Sequence, residues 1–178
     1  MATRQSRGRR ARFTLRTIIR GWPYYYETTP VFPNEVLLRT VPNILHYCSQ
    51  NMGNWIINPN AFTPAPDDVD GISLFREDFV TKEYLASVNQ HPSRARVARV
   101  VAKECTDLQL SLKPAPDPNE PPGHTLIPEM PFLGKKTAHN KAQKQNIKDL
   151  AQKLAQIASK NEVYTPPGMS NPIPRPRS

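Results

Sequence analysis

The sequence predicts an α+β domain of short strands and few helices, closed by one long helix near the C-terminus. Three observations predict it. Apolar runs of four to seven residues, several of them β-branched, alternate with loops in which most of the prolines sit. One lysine- and glutamine-rich stretch carries an apolar stripe at three- and four-residue steps. No internal repeat is present. With 178 residues there is room for one ordinary domain. We place it at residues 22–160, between a basic disordered arm (1–21) and a proline-rich tail (161–178).

In chain order, Gly21–Pro33 (GWPYYYETTPVFP) reads as an extended segment packing its rings on the body. Val36–Val41 (VLLRTV) is a strand ended by Pro42. Asn43–Met52 is expected to form a short helix before Gly53, and Trp55–Ile57 a brief apolar patch. Asn58–Asp70 holds three prolines and three acids and reads as a loop. Ile72–Phe75 is a strand. Glu77–Val88 has helical spacing, with Asp78 near its start. Arg96–Ala102 is a β-branched strand, Lys103–Leu108 a turn of helix or a loop, and Leu110–Lys113 another short strand. Pro114–Pro122 has five prolines in nine positions, which excludes a helix and favours polyproline geometry. His124–Ile127 is the last strand, stopped by Pro128. Lys135–Lys160 is the long helix, with Ile147, Leu150, Ala151, Leu154, Ile157 and Ala158 along one face. Thr165–Ser178 reads as a disordered end.

Charge becomes informative once it is located. The net charge is +9, yet residues 21–134 carry eight basic and thirteen acidic side chains. The excess lies in the flanks: seven arginines and no acid in residues 1–20, and seven lysines against Asp149 in residues 135–160. An acidic body argues against a nucleic-acid groove on the folded surface. The arm reads as a disordered tail, as an arm attracting RNA or phosphate, or as an organelle transit peptide. No apolar run is long enough to cross a membrane as a helix. Two cysteines, Cys48 and Cys105, make no disulfide framework and no four-ligand zinc site. We expect them as buried thiols of a reducing compartment, hence a cytoplasmic location.

Nucleotide-loop, metalloprotease and nucleophile-elbow motifs are absent, and the four histidines show no metal-ligand spacing, so no metal is expected. What remains is polar residues at strand positions. Arg39 interrupts an apolar strand; its guanidinium is paired, exposed at an edge, or set to receive an anion such as a diphosphate. Ser73 caps a ladder edge or bonds a ligand. His124 is a structural histidine or a hydrogen-bonding group of a site. Glu129, after the last strand, is a solvated carboxylate or a site acid.

Taken in order, Leu-Leu-Arg-Thr-Val (37–41), Asn-Ala-Phe-Thr-Pro (60–64), Gly-Ile-Ser-Leu-Phe-Arg (71–76) and Gly-His-Thr-Leu-Ile-Pro-Glu-Met-Pro (123–131) resemble small bacterial toxin-like proteins of the ADP-ribosyltransferase-like fold. Nearest is a type VI secretion effector family in which a Leu-x-Arg strand, a Gly-x-Ser-Val-Phe strand and a His-x-x-Ile-x-Pro segment follow in that order. The RES toxin domain is similar more coarsely. The resemblance implies NAD as substrate, split at the nicotinamide–ribose bond for ADP-ribosyl transfer or hydrolysis. It implies Arg39 on the diphosphate, Ser73 on the nicotinamide ribose, Phe75 or Phe62 on the nicotinamide ring, Glu129 as the catalytic carboxylate and His124 as a catalytic hydrogen-bond donor. A toxin of this kind implies an antitoxin or immunity protein as partner. The chain departs from the pattern in lacking the Glu-x-Glu or Gln-x-Glu pair of many such transferases. The reading from composition alone is a non-enzymatic adaptor that binds RNA or a protein partner through its basic flanks and proline-rich segments.

Overall fold

The computed structural model describes residues 27–42, 47–51, 54–89, 95–134 and 140–167. The basic arm, three of the four histidines (His46, His91, His139) and residues 135–139 and 168–178 lie outside these.

Among the described residues seven strands form in chain order: β1 (Val36–Pro42), β2 (Cys48–Asn51), β3 (Asn54–Ile57), β4 (Ile72–Arg76), β5 (Ala95–Val101), β6 (Lys113–Pro114) and β7 (His124–Ile127). With them stand a 3-10 turn, η1 (Pro59–Phe62), and the helices α1 (Lys82–Val88), α2 (Ala102–Asp107) and α3 (Lys141–Lys160). Five strands make one antiparallel sheet in the order β5-β1-β4-β7-β6, and β2-β3 pair as a separate hairpin. The fold is α+β with a long C-terminal helix, as the patterning predicts.

Alternation along each strand divides the apolar residues between two faces. Leu37, Val41, Ile72, Leu74, Ala98, Val100 and Ile127 point one way and meet α3 through Ile147, Leu150, Ala151, Leu154, Ala155 and Ala158, with Phe62 of η1 packed between. Leu38, Phe75, Ala95 and Val97 point the other way and meet Val80 with Leu85 and Ala86 of α1. The first face buries the larger core. α3 is also tied by hydrogen bonds. Ser159 Oγ accepts from Ile57 N at 2.8 Å, and Asn161 Nδ2 donates to Arg99 O at 3.1 Å.

Several local expectations are corrected. Residues 48–51 of the expected Asn43–Met52 helix form β2. Cys48 lies opposite Ile57 and Gln50 opposite Trp55, so the hairpin buries Cys48 and Ile57 beneath α3, a gain no isolated helix supplies. The second helix begins at Lys82 rather than near Asp78. The hydroxyl of Thr81 accepts from Tyr84 N, while the N–H groups of Phe79 and Val80 both bond the Arg76 carbonyl in a preceding turn. Of the expected Leu110–Lys113 strand only Lys113 pairs, because Gln109 takes φ 62° and swings Leu110 into the core. Phe32 of the aromatic segment is 58% exposed, while Trp22, Tyr24, Tyr25 and Tyr26 lie outside the described residues. Just before Thr165, Tyr164 pairs with Val97 of β5, exchanging N–H···O bonds of 2.9 and 3.2 Å.

Candidate functional site

Antiparallel register sets Phe75 opposite His124 and Ser73 opposite Leu126. Side chains two apart on a strand share a face, so Ser73, Phe75 and His124 project together on the side of α1. α1 covers the β5–β1 half of that side. On the β4–β7–β6 half lie half-buried Ser73 and Leu126 and, opposite Leu126, exposed Lys113.

His124 links the group. Its Nε2 lies 2.9 Å from Ser73 Oγ, and its Nδ1 lies 2.7 Å from the carbonyl of Ala115. A carbonyl only accepts, so Nδ1 carries the proton of that bond, and in the neutral form of the ring Nε2 accepts from the serine hydroxyl. The Phe75 ring stands 5.4 Å from the imidazole, tilted by 34°. His124 is 8% exposed. Local chain geometry fixes it from both sides. Ala115 N donates back to the His124 carbonyl at 2.9 Å. Gly123, at φ 78°, donates to Glu27 Oε2 at 3.0 Å, and an added Cβ there would lie 2.8 Å from Phe79 Cβ.

Arg39 lies on the opposite face, in line with Leu37 and Val41. The β1–β4 ladder covers only Leu37 opposite Arg76 and Leu38 opposite Phe75, and the guanidinium bridges the two strands beyond it. Nη1 donates to the Ser73 carbonyl at 2.7 Å, Nε to the Ala61 carbonyl at 3.2 Å, and Nη2 stands 3.9 Å from Asp68 Oδ2. Burial pulls its pKa below the ordinary arginine value, against the opposing charge of Asp68. Of the readings left open for this residue, pairing within the protein is the one the geometry bears out.

Glu129 and Phe62 also stand apart from His124. Glu129 follows the far end of β7, where Oε1 accepts from both the N–H and the hydroxyl of Ser111. Phe62 is fully buried in the α3 core. Thus three of the six sequence candidates, Ser73, Phe75 and His124, come together.

Sequence reasoning passed over the strongest charged contact. Arg76 meets Glu35 with two parallel bonds, Nε–Oε2 at 2.6 Å and Nη2–Oε1 at 2.8 Å, both side chains buried. Nη1 reaches the Thr29 carbonyl at 2.9 Å, and the guanidinium lies 4.6 Å over the Phe79 ring. The signal was an arginine closing an apolar strand, the same one that drew attention to Arg39. Arg96 is fully buried, 4.6 Å over the Trp55 ring. Among the described residues no group of three His, Cys, Asp or Glu is arranged to hold a metal ion, and no helix is long and apolar enough to cross a membrane. Cys48 and Cys105 are buried and joined to no disulfide among the described residues, and the Cys48 thiol donates to the Pro42 carbonyl at 3.4 Å.

Compared with family models, curated proteins and solved structures, the chain matches none.

Proposed function

We propose that this chain binds NAD on the β4–β7–β6 half of the sheet and acts as a toxin-like NAD-consuming enzyme, by ADP-ribosyl transfer or by hydrolysis. The observation that carries the reading is the Ser73 Oγ–His124 Nε2 hydrogen bond beside the Phe75 ring. A ribose diol offers two hydroxyls that both donate and accept, and a Ser–His pair on a partly open sheet face complements them. Phe75 gives the base an aromatic neighbour.

The residue roles shift from those the resemblance implies. Arg39 is engaged by protein oxygens on the other face, so Lys113, exposed and outside every ion pair among the described residues, takes the diphosphate. Glu129 stands past the far end of β7, with Oε1 bonded to Ser111, whereas His124 touches Ser73 directly and is the group placed for proton transfer. Such an enzyme requires a neutralising antitoxin or immunity protein in its own cell. Its two buried cysteine thiols, outside any disulfide among the described residues, suit a reducing cytoplasm.

The test is to purify the full chain, measure NAD binding and nicotinamide release, and induce it in a bacterial host. We expect binding and growth arrest, with NAD affinity about tenfold weaker in Ser73→Ala, the loss of one or two hydrogen bonds. No NAD binding, with salt-dependent RNA binding that vanishes when residues 1–20 and 135–178 are deleted, would replace this reading by the adaptor.

A further inference from the structure

We infer that Ser73 is a nucleophile activated by His124, and that the chain ADP-ribosylates itself there. The inference rests on the NAD reading above and gives Ser73 more than a binding role. A serine becomes a nucleophile when a base within hydrogen-bond reach removes its proton and a third group orients that base. All three parts are present. Ser73 Oγ lies 2.9 Å from Nε2, and Nδ1 is held at 2.7 Å by the Ala115 carbonyl. That carbonyl stands at the start of the proline-rich 114–122 segment, and Ala115 N donates to His124 O, so the orienting group is doubly fixed. The tautomer this imposes leaves the Nε2 lone pair facing the hydroxyl.

The same geometry selects the electrophile. Acyl transfer needs N–H donors converging on an oxyanion near the nucleophile. Ser73 lies in mid-strand, where the backbone N–H groups lie in the plane of the sheet and the side chain stands perpendicular to it. β4 therefore supplies no such donors to that face. Displacement at the anomeric carbon of NAD develops positive charge instead and needs no oxyanion site. In the step, Ser73 Oγ forms a bond to C1′ of the nicotinamide ribose. The C1′–N1 bond breaks, and its electron pair neutralises the pyridinium as nicotinamide leaves. The serine proton passes to His124 Nε2, with Nδ1–H still on Ala115. The product is an O-glycoside whose serine oxygen is a poor leaving group, so it persists.

The experiment incubates the full chain with NAD and follows intact mass, peptide mapping and nicotinamide release, with NAD binding measured in parallel by ligand-observed NMR. We expect one ADP-ribosyl group per chain, on Ser73, and none on Ser73→Ala. His124→Gln, which keeps hydrogen-bonding capacity without a comparable base, should slow the adduct at least about 100-fold with circular dichroism unchanged. NAD binding without an adduct on Ser73 would overturn the inference and leave the NAD reading standing. An adduct formed as fast in His124→Gln would overturn the role of the base. Absence of NAD binding would overturn both.

Discussion

Arg39 and Ser73 belong to neighbouring strands but to opposite faces of the sheet, and they meet only where the Arg39 guanidinium donates to the Ser73 carbonyl at 2.7 Å. The side chain on one face thereby fixes the backbone from which the hydroxyl on the other projects.

Removing that guanidinium therefore acts on stability. Arg39→Ala strands the Ser73 and Ala61 carbonyls and leaves Asp68 without its cation, at a cost of about 2–4 kcal/mol. Urea denaturation should show the unfolding free energy falling by that amount. Lysine offers one ammonium in place of a planar fork, so Arg39→Lys should recover less than half of the loss.

A larger effect is expected at the Arg76–Glu35 pair. Either partner alone leaves a buried, uncompensated charge, so Arg76→Met and Glu35→Leu should each destabilise by about 3–5 kcal/mol. The double variant should lose clearly less than the sum, and a double-mutant cycle by denaturant unfolding reads the difference.

Acidity should loosen one region first. Glu162 has its pKa lowered by its hydrogen bond and ion pair with Lys82, with Arg99 adding to the effect. Its folded value is thus below its unfolded one. The contribution is present above the ordinary glutamate range and is lost as pH falls through the folded value. Glu162 is exposed, so global stability should change little. Amide exchange at Val97 and Tyr164, measured against that of Leu37 and Leu74, should accelerate on acidification and also with added salt.

The thiol of Cys105 should be inert. Burial pushes its pKa up to about 12, with the nearby Glu104 carboxylate adding to the rise. At pH 8 only about one part in ten thousand is thiolate, and the side chain is fully buried. Maleimide labelling followed by mass should find Cys105 unmodified in the native protein and fully modified in urea. Labelling at comparable rates in both states would contradict the burial.

Much of this architecture was readable from local pattern. β1, β4, β5 and β7 follow β-branched or leucine-rich runs bounded by Pro42, Gly71 and Pro128, and α3 follows its stripe. Legibility fails where pairing decides. Cys48–Asn51 is polar and has no alternation, and it becomes a strand only because Trp55 and Ile57 lie opposite it. Leu110 is apolar in a strand-like setting, but one residue of positive φ sends it inward. The site shows the same division. Ser73 and His124 stood out as polar groups on apolar strands. Their hydrogen bond depends on a β4–β7 register spanning 51 residues, which local spacing does not encode. Arg39 shared their signal and was drawn away by Ala61, Asp68 and the Ser73 carbonyl, partners visible only in three dimensions.

The short bridge between Tyr164 and Val97 has a wider consequence. β5 is an outer strand of seven residues, rich in valine and alanine, whose free rim would template pairing with another chain. Tyr164 occupies hydrogen-bonding groups of that rim at Val97. At the opposite rim, β6 has only two residues, and one of them, Pro114, has no N–H to offer. Both borders of the sheet are thus blunted by the chain itself. Shortening the protein at residue 160 would uncover the valine-rich border and turn a self-contained sheet into one prone to edge-to-edge association.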